Sequence, residues 1–184
     1  MSEFPNEHLP HLELPVDEHI LLRQLQPSDT EALFAVTDAN REYLAEWLPW
    51  VEGTTSQADS RAFINTMLER RQAGAEYGYG IVVDDRVAGH ISLMHLNDGK
   101  EPEIGYWIAE DASGGGRTTA VAQAVSDFGF ETLGLPKIII RADPKNGASN
   151  RIAEKLGYRL SETRTNPSGS ISNIWVKEKA EPTN

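Results

Sequence analysis

Apolar residues recur along the chain with a period near two in some stretches and near 3.6 in others, and the switches between the two mark its elements. Residues 19–25 alternate and predict a first strand. Ser28 and Glu31 then stand at capping-box spacing before a short helix carrying Ala32, Leu33 and Val36. A second helical piece is expected over 41–47. Thr54, Thr55 and Ser56 open a longer helix whose apolar face is Phe63, Ile64, Met67 and Leu68, with Gly74 as its stop.

Residues 77–83 and 87–96 are apolar and β-branched, and the polar turn Asp84, Asp85 and Arg86 joins them as an antiparallel hairpin. A strand over 103–109 runs into Gly114, Gly115 and Gly116. Val121, Ala124, Val125 and Phe128 then follow the spacing of an amphipathic helix closed by Gly134 and Pro136. Ile138, Ile139 and Ile140 form an unbroken apolar run, as in a strand covered on both faces. A helix over 148–156, stopped by Gly157, and strands near 158–163 and 171–177 complete the order. Strand, helices, a meander of strands and then strand–helix–strand–helix–strand predict an α+β fold, a mixed and mostly antiparallel central sheet with helices on both faces. Residues 1–17 read as an N-terminal extension, 18–178 as one domain and 179–184 as a polar tail.

With 184 residues there is room for one core and one site. No apolar run reaches the roughly 18 to 20 residues of a spanning helix, and the start of the chain carries acids and prolines rather than a basic and then apolar leader, so no membrane association and a cytoplasmic location are expected. Cysteine is absent, which removes thiolate metal sites and a cysteine nucleophile. Seventeen basic residues against 28 acidic ones give a net charge of -11 without a basic patch, which argues against nucleic acid and suits a cationic acceptor or simply a solvated surface. His90 and His95 are five residues apart on one expected strand, hence on opposite faces, so no metal pair is expected.

A strand that ends in glycines and opens a helix is an anion site, because first-turn amides lack intrahelical acceptors and the helix dipole adds to them. Gly114 and Gly116 would admit a pyrophosphate close to the main chain, Arg117 adds charge, and Thr118 and Thr119 add hydroxyls; a flexible turn is the plainer alternative. Neither a Walker loop nor a G-x-G-x-x-G fingerprint is present. The segment EIGYWIAEDASGGGRTT, from Glu103 to Thr119, instead resembles the coenzyme A motif R/Q-x-x-G-x-G/A of GNAT acetyltransferases behind the E-I-G-Y-W-I strand of their RimJ/RimL-type branch, with Ser113 and Thr118 departing from it. Asn146, Ser149, Leu156, Gly157 and Tyr158 resemble the branch's N-x-x-S-x6-L-G-F/Y signature, and Trp47, Leu48, Pro49 and Trp50 its W-L-P-W element.

That resemblance implies the GNAT acyl-CoA N-acyltransferase fold, with two splayed parallel strands that take the pantetheine arm, and acetyl-CoA as co-substrate with no metal. It places Trp107, Ile108 and Ala109 along the arm, the pyrophosphate over Gly114, Gly115, Gly116, Arg117, Thr118 and Thr119, and Asn146 farther along. Acetyl transfer to an amine needs a free amine, a donor to the carbonyl oxygen and a proton for the leaving thiolate. The tyrosine that many GNAT enzymes use as that acid is replaced here by Ala153, and Ser149 is the substitute the branch suggests, with a helix N-cap as its alternative role. Glu103 is the candidate base, or else an ion-pair partner of Arg141. Trp47 and Trp50 are candidates for the acceptor wall, or for core packing, and Tyr77, Tyr79 and Tyr106 share that ambiguity. The implied function is acetylation of a primary amine, most directly a protein N-terminal amine of ribosomal-protein type. A small amine such as a polyamine, antibiotic or toxin, a non-catalytic acyl-CoA sensor, and a homodimer all stay open.

Overall fold

A computed structural model describes residues 11–181; the first ten residues of the expected N-terminal extension and the last three of the expected tail lie outside the described residues. Eight strands form one sheet: β1 (Glu13–Pro15), β2 (Ile20–Arg23), β3 (Tyr77–Val83), β4 (Arg86–Met94), β5 (Glu103–Ile108), β6 (Lys137–Ala142), β7 (Arg159–Thr165) and β8 (Ile171–Glu178), in the order β1-β2-β3-β4-β5-β6-β8-β7. All neighbours are antiparallel except β5 and β6. The edge strand β1 lies within the stretch that the sequence left without structure. The β3–β4 hairpin turns on Asp84 and Asp85, at φ 47° and 63°, a left-handed pair that short polar side chains tolerate.

Helices cover both faces. On one, α1 (Thr30–Ala39) and α3 (Gln57–Gln72) set Leu33, Ile64 and Leu68 against Val82 and Val87. On the other, α4 (Arg117–Asp127) and α5 (Gly147–Lys155) bring Val121, Val125 and Ala153 against Leu93, Ile104 and Ile138. Between α1 and α3 lie α2 (Arg41–Ala45), shorter than expected, and a 3-10 turn at Pro49–Gly53. The strands buried on both faces are those with unbroken apolar runs: every residue of β3 is buried, and Ile138, Ile139 and Ile140 are at most 1% exposed.

The expected Ser28–Glu31 capping box is not the one the chain forms. A 3-10 turn, Pro27–Asp29, precedes α1, and the Asp29 carboxylate accepts from Gln26 N at 2.8 Å and from the Arg23 guanidinium at 2.8 and 2.9 Å. Asp29 prevails because it satisfies a backbone donor and a cation together. At α3 the start lies where the sequence put it, with Asp59 accepting from Ser56 N at 3.0 Å and Thr55 N at 2.9 Å. A π-helical turn, Phe128–Thr132, extends α4 towards Gly134, which adopts φ 68°.

The feature that makes the site is a defect in this sheet. β5 and β6 pair only at Glu103 with Ile139 and Ile104 with Ile140, supported by Ile139 N donating to Pro102 O at 2.8 Å. Beyond Ile104 the two strands have no register partners, so β5 runs on with one edge open.

Candidate active site

Backbone groups alternate sides along a strand. Ala109 N donates to Ala88 O on β4 at 2.7 Å, and Pro102 O faces β6. The alternation therefore turns the amides and carbonyls of Tyr106 and Ile108 into the gap beside β5. Trp107, expected along the arm, directs its backbone at β4 and contributes its ring. Ala109 does not join the site: its carbonyl accepts from Ala112 N and Ser113 N, and its side chain is fully buried.

The gap opens into a cleft of about 630 Å³ that gathers Trp107, Ile108, Gly114, Gly115, Gly116, Arg117, Thr118, Thr119 and Asn146. The three glycines hold φ 88°, 59° and 76°, three consecutive left-handed residues that Cβ-bearing residues would occupy only under strain. They turn the chain so that α4 starts with its free amides at the cleft. Two cations that the sequence reading missed, Arg151 and Lys155, also line it. They lie four apart on α5, hence on one side of the helix, a spacing that could have singled them out once Asn146 was placed. Arg151 lies over the start of its own helix: a Cβ at Gly147 would meet its Nη1 at 3.1 Å.

Where the cleft reaches β5, the Tyr106 hydroxyl stands 2.8 Å from Ser149 Oγ. The cap of α5 is Asn146, whose Oδ1 accepts from Ser149 N at 3.1 Å, so the Ser149 hydroxyl is not used for capping. Burial raises the Tyr106 phenol above its ordinary pKa, with the hydrogen bond to Ser149 partly opposing it, so the group stays protonated at neutral pH.

A second cavity, about 440 Å³, lies on the α1–α3 face and shares Leu48, Tyr106 and Trp107 with the first. Ser92 and Gly105, opposite one another on β4 and β5, line its floor, with Gly78 next in the same cross-strand row. His90, Met94 and Trp107 surround that floor, and Phe63 and Trp50 form walls, with Trp50 and Trp107 rings 5.7 Å apart. Two carboxylates, Asp59 and Glu76, and, among the described residues, no lysine or arginine line the cavity. Of the two tryptophans expected at an acceptor wall or in the core, Trp50 lines this second cavity and Trp47 lines the glycine-loop cleft.

Glu103 lines neither cavity. Its carboxylate accepts from Arg141 Nε at 2.9 Å, the other role that the sequence allowed it. His95 bonds Asp98 at 2.7 Å, while His90 is 5% exposed. Tyr77 and Tyr79 belong to the core, beneath the Arg71 guanidinium.

Residues 19–159 match the acetyltransferase (GNAT) domain family. YdaF of Bacillus subtilis (strain 168), provisionally named a ribosomal N-acetyltransferase, is 34% identical over 147 residues, 78% of this chain and 79% of that protein. The ribosomal-protein-serine acetyltransferase of Escherichia coli (strain K12) is 25% identical over 148 residues, 80% and 83% of the two chains. In fold, the chain superposes on RimL, a ribosomal L7/L12 alpha-N-protein acetyltransferase solved with coenzyme A, with a TM-score of 0.84 at 24% identity, covering 91% of this chain and 98% of that one. The glycine loop, the splayed strands and these relatives together show that the chain belongs to the GNAT N-acetyltransferase family, in its RimJ/RimL-type branch.

Proposed function

We propose that the protein transfers the acetyl group of acetyl-CoA to the N-terminal amine of a polypeptide of ribosomal-protein type. The observation that carries this reading is the meeting of two cavities at Leu48, Tyr106 and Trp107, with the Tyr106–Ser149 hydroxyl pair at the junction. The first cavity fits a coenzyme. Its glycine loop and α4 amides suit a pyrophosphate, Arg117, Arg151 and Lys155 supply positive charge, and the open edge of β5 offers hydrogen bonds to an extended arm. The second suits an amine through the carboxylates of Asp59 and Glu76, the latter ion-paired with Arg70. Trp50 and Phe63 at this cavity and Tyr43 and Trp47 at the adjoining cleft, all more than a third exposed, give its surroundings an apolar surface suited to a polypeptide rather than to a small hydrophilic amine.

Acetyl-CoA supplies an activated thioester. With no cysteine in the chain, the amine attacks it directly. The entering ammonium first loses a proton to water beside Glu76, whose Oε2 is held by Arg70 at 2.7 Å. Ser149 Oγ donates its proton to the leaving thiolate while the Tyr106 hydroxyl donates to Ser149 Oγ and holds it in place, and the proton that the attacking nitrogen releases on becoming an amide returns through solvent to restore the pair. Glu103 supports this from behind, fixing the start of β5 through Arg141.

Thiol release from acetyl-CoA, measured against N-terminal peptides, polyamines and aminoglycosides with mass spectrometry of the products, tests the reading. Acetylation confined to the peptide α-amine supports it. Turnover of polyamines or aminoglycosides alone transfers the site to a small amine, and tight acetyl-CoA binding without turnover of any amine favours a sensor.

A further inference from the structure

We infer that Asn150 is a positioning residue for the acyl transfer, the side chain that holds Ser149 opposite Tyr106 by tying the first turn of α5 to β8. This rests on the reading of Ser149 as the proton donor to the leaving thiolate and adds what keeps that donor in place.

The need for a tether comes from the same defect that makes the cleft. Ser149 stands on α5, which follows β6, whereas Tyr106 stands on β5. These two strands pair only at Glu103 with Ile139 and at Ile104 with Ile140, so among the described residues no register partner fixes β6 against β5 at Tyr106. β6 is paired instead with β8 along its whole length, Lys137–Ala142. The rigid reference for the start of α5 is therefore β8, and a side chain has to reach it. Ala153 and Leu156 seat the helix on the core farther along, and their apolar contacts are non-directional, so they set its depth and leave the aim of the Ser149 hydroxyl open.

Asn150 makes that link with its whole amide. Its Nδ2 donates to Asp143 O and to Asn146 O, both at 2.8 Å, in the segment that leaves β6. Its Oδ1 accepts from Trp175 Nε1 at 2.8 Å and from Asn173 Nδ2 at 3.0 Å, both on β8. The two donor hydrogens and two acceptor lone pairs of an amide side chain are thus all in use. Its orientation is fixed as well, because an indole nitrogen can only donate and a carbonyl can only accept. Asn146 carries the restraint on to Ser149: its carbonyl holds the Asn150 side chain, and its Oδ1 accepts from Ser149 N at 3.1 Å. The Tyr106–Ser149 contact of 2.8 Å has little slack, since a displacement of about 1 Å takes two hydroxyls out of hydrogen-bond range.

The test is a double-mutant cycle of Asn150→Ala with Ser149→Ala, read in kcat and KM for thiol release, with acetyl-CoA binding by calorimetry to report whether each variant is folded. Asn150→Ala alone is expected to lower kcat by about ten- to a hundredfold, the cost of misplacing a reacting group by about 1 Å, while the KM for the amine changes less than about threefold. In the Ser149→Ala background the same replacement is expected to change kcat by less than about twofold, because the group it positions is gone. A side chain needed only for folding lowers kcat alike in both backgrounds, and that result overturns the inference. So does an unchanged kcat in folded Asn150→Ala, or a Ser149→Ala enzyme as active as the wild type. If Asn150→Ala does not bind acetyl-CoA, Trp175→Phe, which removes one donor to Oδ1, carries the same cycle; a fall in kcat of about three- to tenfold that vanishes without Ser149 supports the inference, and no fall overturns it. If the wild type acetylates a small amine in place of a peptide, the acceptor reading fails, and the cycle run with that amine still decides the role of Asn150. No turnover of any amine overturns both.

Discussion

Tyr106 and Ser149 meet hydroxyl to hydroxyl at 2.8 Å across 43 residues of sequence, one at the open edge of β5 and the other in the first turn of α5. Asn146 caps the helix, and the Ser149 hydroxyl is thereby left to face the junction of the two cavities with Tyr106 as its protein partner.

If that pair delivers the proton to the leaving thiolate, Ser149→Ala lowers kcat by about a hundredfold or more. Tyr106→Phe is expected to lower it by a comparable factor with little change in the affinity for acetyl-CoA. Because the two act as a unit, the double variant falls far short of the product of the single effects. Single-turnover thiol release and a calorimetric Kd separate these outcomes.

No protein atom among the described residues lies within 4 Å of a Cβ built on the glycine loop, so in the free protein a Cβ there costs backbone strain alone. Gly115→Ala is expected to let the free loop relax from its φ of 59°, so that binding must restore a conformation costing about 1–2 kcal/mol. The Kd for acetyl-CoA then rises by roughly five- to thirtyfold, with kcat at saturation little changed.

Glu103, 13% exposed at the side chain and ion-paired with Arg141, is expected to matter for stability more than for chemistry. Glu103→Gln should lower the unfolding free energy by about 1–3 kcal/mol, the scale of a hydrogen bond to a charged group, and reduce kcat only a few fold. Denaturant unfolding beside thiol-release kinetics checks both. A hundredfold loss of kcat in a stable variant would return Glu103 to the role of base.

Burial, then the Arg71 charge, lowers the His90 pKa from 6.5 to about 3. Above pH 6.5 both folded and unfolded chains hold a neutral imidazole, and His90 adds no pH dependence. Between 6.5 and about 3 only the unfolded chain takes up the proton, so stability falls as the pH falls, by about 1.4 kcal/mol per unit. Urea unfolding of wild type and His90→Gln from pH 8 to pH 4.5 should show the steeper loss in the wild type.

The sequence by itself determined what depends on local pattern: the order of the main strands and helices, the doubly buried Ile138–Ile140 run, the hairpin at Asp84–Asp85, and a loop of three glycines whose φ values strain other residues. Burial period and backbone conformation are written residue by residue, so they can be read without knowing what lies opposite. Tertiary structure alone decided the rest. Only the sheet register sets Ser92 and Gly105 side by side at the floor of the second cavity, with Gly78 next in the row. Only the two-residue contact of β5 with β6 leaves Tyr106 and Ile108 facing a gap, in place of the expected Ala109. The choice between a cap and a free hydroxyl at Ser149, or between a base and an ion pair at Glu103, turns on which partner each side chain meets: Tyr106 at 2.8 Å and Arg141 at 2.9 Å. Tyr106 and Arg141 lie on strands distant in sequence from Ser149 and Glu103, and their placement follows from how whole elements pack, which no local spacing encodes.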